Sequence, residues 1–265
     1  MRAVMTWVLV MLFAVTALAE PIAIPLPDGT LLQANLYRPA TATDKPAIVL
    51  LHGCAGFFPR RDNQWRDLFL REGHIVLMPN SFTSRGLGPQ CHEAKRKVDS
   101  FTIRRDDAIA SVNWLLAQPG TPKGGLVLMG WSDGASTTLA AAAKLSADKL
   151  RGLVAFYPGC AVARRDPNWK PPAPMLILMG EIDDWTPAKP CQEVAERFTP
   201  DVLAMITYPG AYHDFDAPDP VSIMTNIPFS QNADKTVHVG NNPAAQADAF
   251  RRVPAFINAL PPAKP

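Results

Sequence analysis

The chain reads as an α/β domain: a mostly parallel, doubly wound sheet with helices on both faces and an antiparallel hairpin at its N-terminal edge. Three observations predict this. Continuous aliphatic runs, such as "PAIVLLHG" and "APMLILMG", have no polar alternation and therefore read as strands buried on both faces. Amphipathic segments of helical length separate those runs, which is the spacing of parallel strands joined by crossover helices. At the front, "AIPLPDGTLLQANLYRP" places Asp28-Gly29 between two extended segments, a hairpin signal.

The elements follow in order. After "PAIVLLHG", the segment "DNQWRDLFLREG" gathers Trp65, Leu68, Phe69 and Leu70 on an apolar face before Gly73. "HIVLMPN" is the next strand, and "RRDDAIASVNWLLAQPG" is a second amphipathic helix, stopped by Pro119-Gly120. Leu126–Met129 is a strand and the alanines 140 to 143 belong to the helix behind it. Strands follow in "LRGLVAFYP", "APMLILMG" and "VLAMITYPG", with a helix in "AKPCQEVAERF" and a closing helix in "PAAQADAFRRVPAFINAL". The stretch 217–243 is long and irregular, and reads as a lid, a surface loop or a partly disordered segment.

At 265 residues and 48% hydrophobic composition, the chain can bury one large core. Lys and Arg total 26 against 24 acidic residues and form no basic-aromatic stripe, so nucleic-acid binding has no support. Residues 1–19 stand apart: Arg2, an apolar run, then Ala17-Leu18-Ala19 have the layout of a cleaved export signal. The run is short for a bilayer span, so no stable membrane insertion is expected after cleavage. The expected mature unit is a single domain over residues 20–265, exported to a periplasmic or extracellular space. In an oxidising compartment, Cys54, Cys91, Cys160 and Cys191 read as two disulfides. No C-x-x-C and no paired histidine spacing is present, so neither a metal nor a cofactor is expected.

In such sheets, ligands collect at the carboxyl ends of the strands. Those ends carry His52-Gly53-Cys54, Asn80-Ser81, Ser132, Tyr157-Pro158, Glu181 to Asp184, and His213. Ser132 sits in Gly130-Trp131-Ser132-Asp133-Gly134, between a strand and a helix, where little chain is available to make the turn. A serine hydroxyl becomes nucleophilic only when a base takes its proton, histidine titrates in the right range, and a carboxylate fixes the imidazole tautomer. Among the histidines, His213 directly follows the last strand. His238 lies in the irregular stretch, His52 shapes the first glycine turn, His74 begins a strand at the wrong end, and His92 beside Lys95-Arg96-Lys97 reads as solvated. The acid is open among Glu181, Asp183 and Asp184, two of which are expected to be caps or surface carboxylates. The oxyanion donors are expected to be the backbone N–H groups of Asp133, at a helix start, and of Cys54. The order Ser, Asp, His is that of α/β-hydrolases.

"LLHGCAGF", "NSFTSRG", "GWSDGAS", "MGEIDDWTPAKPC" and "YPGAYHDFD" resemble the successive motifs of the dienelactone hydrolase family of α/β-hydrolases, in particular its exported, serine-containing branch. The resemblance spans essentially the whole mature chain. In G-x-x-D-x-x-x-P it aligns the family's acid with Asp183. Two departures concern the substrate: the namesake enzymes use a cysteine nucleophile where this chain has Ser132, and a glutamate where it has Cys54-Ala55. Cys54 itself lacks a nucleophile turn. In the implied fold, the strands before Cys54 and Cys91 are neighbours, as are those before Cys160 and Cys191, which implies the bridges Cys54–Cys91 and Cys160–Cys191. The reading is a serine hydrolase that takes a small-molecule carboxylic ester. A peptidase or amidase on the same residues is the alternative, and an inactive binding protein the third.

Overall fold

The computed structural model describes residues 18–261. Of the expected leader, only Leu18 and Ala19 fall within that range, and the last four residues of the expected domain lie beyond it. Two strands, β1 (Glu20–Pro25) and β2 (Leu31–Tyr37), form the leading hairpin. Its turn is closed by the Thr30 N–H on Asp28 Oδ1 at 2.9 Å. β2 alternates buried and exposed residues, as a strand with one covered face must.

The following strands are β3 (Ile48–Leu51), β4 (Val76–Asn80), β5 (Leu126–Trp131), β6 (Leu150–Phe156), β7 (Met175–Gly180) and β8 (Leu203–Tyr208). They complete an eight-stranded sheet in the order β1-β2-β4-β3-β5-β6-β7-β8. β2 pairs antiparallel with β4, and every pair from β4 to β8 is parallel. Every residue of β3, β5 and β7 is buried, so both faces of the sheet centre are covered. This is the architecture of an α/β-hydrolase.

The helices are α1 (Pro59–Arg71), α2 (Ile103–Ala117), α3 (Asp133–Ala142), α4 (Ala161–Arg165), α5 (Ala188–Ala195) and α6 (Pro243–Asn258). α1 opens on a proline, which costs no hydrogen bond at that position, and α2 stops where Gln118 turns extended ahead of Pro119. α1 meets α6 through the stacked rings of Trp65 and Phe250, 4.2 Å apart. α4 was not expected: five residues are too few to show a hydrophobic period.

The irregular stretch is an ordered excursion. It carries a two-stranded antiparallel ribbon, β9 (Ser222–Met224) with β10 (Val237–Val239). Ile227 and Val237 are buried in a small second core with Cys54, Cys91 and Trp185. That core lies beside the strand ends where the candidate residues collect. Among the described residues, no helix is long and apolar enough to cross a membrane.

Candidate active site

The turn after β5 sets the geometry. Ser132 adopts φ 53° and ψ −115°, a conformation outside the favourable regions for a residue with a side chain. The flanking glycines make that turn possible. A Cβ on Gly134 would lie 2.1 Å from the Leu51 carbonyl oxygen, and one on Gly130 would lie 2.4 Å from that of Gly134. Helix α3 therefore starts pressed against the end of β3, and Ser132 stands at the floor of the cleft.

The ends of β7 and β8 bring two more groups to that floor. His213 Nε2 lies 2.8 Å from Ser132 Oγ, and His213 Nδ1 lies 2.7 Å from Asp183 Oδ2. In the neutral ring this geometry suits a tautomer in which Nδ1–H donates to the carboxylate and Nε2 accepts from the serine hydroxyl. Of the three candidate acids only Asp183 reaches His213. Glu181 accepts the Gly210 N–H at the surface, and Asp184 turns to His238. Asp183 Oδ1 accepts the N–H groups of Trp185 and Thr186, which aims its other oxygen at the ring. The Thr186 hydroxyl sits among these groups, 3.0 Å from Asp183 Oδ2 and from the Tyr157 carbonyl oxygen, and 3.1 Å from His213 Nδ1. Burial on its own would lower the His213 pKa, but the Asp183 carboxylate and its hydrogen bond outweigh it, and the pKa lies above the ordinary histidine value.

Among the described residues, the backbone N–H groups of Cys54 and Asp133 make no backbone hydrogen bond in the turns and loops. β3 is paired with β5, Leu51 opposite Gly130, so the loop after β3 runs beside the turn. A Cβ on Gly53 would lie 3.7 Å from Ser132 Cβ. The Cys54 thiol is not free: Cys54 is joined to Cys91, and Cys160 to Cys191.

Several side chains for which the sequence predicts no catalytic part support this floor. The Asp133 carboxylate is buried and held by Arg96, Ser100 and Arg104. Burial would raise its pKa, but Arg104 and Arg96 prevail and hold it below the usual carboxylate value. Arg96 thus turns inward although its neighbours His92 and Lys97 are exposed, as expected for His92. His52 shapes its loop, with Nδ1 2.8 Å from the Gly53 carbonyl oxygen, and burial beside Arg104 depresses its pKa to about 3. Behind His213, the Tyr157 ring lies 4.4 Å away and its hydroxyl donates to Asp216 at 2.7 Å. Asp216 also accepts the indole N–H groups of Trp65 and Trp131, and burial raises its pKa. Arg61 joins Asp214 at 2.8 Å to the Tyr157 hydroxyl at 3.0 Å. No spacing rule marks these residues, because they come from six separate segments.

Above the floor lies a cavity of about 610 Å³, lined from the 94–101 loop, the 159–165 segment, the 185–190 segment and the 229–231 loop. Its size suits a small organic molecule. Among the described residues, no cluster of side chains can hold a metal ion.

The dienelactone hydrolase family model matches residues 32–260. No curated protein matches the chain by sequence. A Klebsiella pneumoniae protein described as a dienelactone hydrolase superposes with TM-score 0.68 at 19% identity, covering 92% of this chain and 99% of its own. Esterase 2 of Thermogutta terrifontis, phosphoramylated by tabun, superposes with TM-score 0.64 at 16% identity, over 93% of this chain and 96% of that one. Dipeptidyl peptidase 4 of Porphyromonas gingivalis superposes with TM-score 0.63 at 13% identity, over 92% of this chain and 36% of the peptidase. At such identities the structural likenesses speak for the fold. The match across most of the sequence does more: this chain belongs to the dienelactone hydrolase family.

Proposed function

We propose that the protein is an exported serine hydrolase that cleaves carboxylic esters through an acyl-enzyme on Ser132. The observation that carries this reading is the unbroken relay from Ser132 Oγ to His213 Nε2 at 2.8 Å and from Nδ1 to Asp183 at 2.7 Å. The hydroxyl attacks the ester carbonyl carbon as its proton passes to Nε2. The oxyanion takes hydrogen bonds from the N–H groups of Cys54 and Asp133. The tetrahedral intermediate collapses, the C–O bond to the alcohol breaks, and the imidazolium returns its proton to the leaving oxygen. Water then repeats the sequence on the acyl-enzyme and releases the acid. Asp183 keeps the imidazole in the productive tautomer and stabilises its cation.

Export is supported by the leader-like residues 1–19 and by the two disulfides, which persist in oxidising compartments. The reaction needs no cofactor, and the partner is a small ester. Labelling with a serine-reactive fluorophosphonate tests the nucleophile: the protein labels, Ser132→Ala does not, and labelling of that variant rejects the assignment. Paired ester and amide substrates with one acyl group separate the esterase from a peptidase. Faster cleavage of the amide overturns the ester reading.

A further inference from the structure

Resting on the esterase reading, the lining of the cavity narrows the substrate. Its apolar surface comes from Phe101, Trp185, Phe229, Pro187, Pro190 and Val162. No leucine, isoleucine or methionine is among the described lining residues. Those are the side chains that follow a flexible alkyl chain, whereas aromatic and proline rings offer flat faces that reward a flat ligand.

Two of the rings are poised for this. Phe101 is 38% exposed and Phe229 49% exposed, so both leave a large apolar surface open. Phe229 is fixed from one side by Arg96, whose guanidinium carbon lies 5.2 Å from the ring centre. Arg96 is in turn tied to Asp133, beside the nucleophile. The third ring, Trp185, is buried with its centre 4.9 Å from that of His213. Across the cavity, Cys160–Cys191 ties the 159–165 segment to α5. Both walls are therefore held in place, which favours a rigid guest.

Charge excludes another class. Arg96 and Arg165 both line the cavity, while Asp133 is neutralised by Arg96 and Arg104, and the Asp99 carboxylate is occupied by its own turn at Phe101 and Thr102. A cationic substrate finds no free carboxylate there.

We infer that the cavity selects an ester bearing an aromatic ring, docked against Phe229 and Phe101, over an alkyl ester of equal carbon number. The test uses the purified disulfide-bonded protein and four neutral esters: methyl hydrocinnamate against methyl nonanoate, and phenethyl acetate against octyl acetate. The two pairs distinguish a ring in the acid from a ring in the alcohol. The alkyl member of each pair exposes at least as much apolar area, so burial alone gives it the advantage. The expected result is an aryl preference of about five-fold or more in kcat/KM in at least one pair, the fold-change that a ring–ring contact of ~1 kcal/mol supplies. Phe229→Leu keeps an apolar side chain and removes the flat face. It should collapse that ratio through KM.

No aryl preference in either pair, or a ratio that survives Phe229→Leu, overturns the inference while leaving the esterase reading intact. So does faster cleavage of the carboxylate-bearing monomethyl adipate than of all four. No turnover of any ester overturns both.

Discussion

Asp184 and His238, 54 residues apart in sequence, form a carboxylate–imidazole pair with 2.8 Å between Oδ2 and Nδ1. The pair lies one residue away from Asp183, and it fastens the 217–243 excursion across the site. Asp184 also accepts the His238 N–H and the Asn232 side-chain amide. His238 stacks on Tyr212, Val239 bridges to His213, and Gly240 N–H donates to the His213 carbonyl oxygen at 2.8 Å. The excursion thus ties the loop that carries Asp183 to the loop that carries His213.

Two neighbouring aspartates should therefore fail differently. Asp183→Asn removes the acceptor that sets the imidazole tautomer and should cost about 10⁴ in kcat. Asp184→Asn weakens a partly exposed clamp, with an expected loss of ~1 kcal/mol in stability and less than about ten-fold in kcat/KM. Steady-state kinetics and urea titration of both variants check this. Equal and small kinetic losses would remove Asp183 from its assigned role.

Ser132→Ala and His213→Ala should each reduce ester turnover by roughly 10⁴ to 10⁶, and the double variant should be no worse than either. The groups act as a unit, so their effects do not add. Circular dichroism should show an unchanged fold. Multiplying losses in the double variant would mean that the two residues act independently.

The pH dependence has opposite signs for rate and stability. His213 must be neutral to accept the serine proton, and its pKa is raised, so kcat/KM should fall as pH drops through a midpoint above ~6.5, the ordinary histidine value. The same raised pKa means that the folded state binds this proton more tightly than the unfolded chain. Its contribution to stability is full below the unfolded pKa and is lost as pH rises through the folded one. His52 works the other way. Its folded pKa is depressed to about 3, so its contribution is present above ~6.5 and is lost as pH falls toward 3. A flat rate profile from about pH 5 to 8 would argue against histidine as the base.

Asp133→Ala should be a stability variant more than a chemical one, because the proposed oxyanion donor is its backbone N–H. Removing the carboxylate leaves Arg104, whose side chain is only 1% exposed, without its charge partner. The expected destabilisation is ~3–5 kcal/mol. Denaturant midpoints measure it, and a change under ~1 kcal/mol would show that Arg104 finds another acceptor.

Each disulfide closes a loop, of 37 and 31 residues, and should stabilise by roughly 4 kcal/mol in the chain-entropy description. Replacing Cys54 and Cys91 by alanine should also lower kcat, because Cys54 carries a proposed oxyanion donor. From the sequence alone, loss of Cys160–Cys191 is expected to affect mainly stability. The structure alters that expectation: Cys160 lines the cavity and the bridge anchors one wall, so KM should rise as well. An unchanged KM in the Cys160→Ala, Cys191→Ala variant would return that bridge to a purely structural part. Thiol counting on the denatured protein from an exporting host tests whether both bridges form.

What the sequence determined by itself was local. Ser132 between glycines, a continuous apolar run before it and alanines after it specify strand, turn and helix through nearest-neighbour sterics and periodicity alone. The order of strands and helices, and hence the edge on which Ser132, the acids and His213 gather, follows from the same signals. The residues' own chemistry could not separate Asp183, which the family resemblance picked out, from Glu181 and Asp184, since adjacent loop residues differ in direction only once their backbone hydrogen bonds exist. Tertiary structure decided that when the Trp185 and Thr186 N–H groups captured Asp183 Oδ1. It also decided the convergence of Arg96 and Arg104 on Asp133, the Asp184–His238 clamp and the aromatic mouth at Phe101 and Phe229. Each joins segments dozens of residues apart, and a charge or ring meets its partner only when folding brings those segments together.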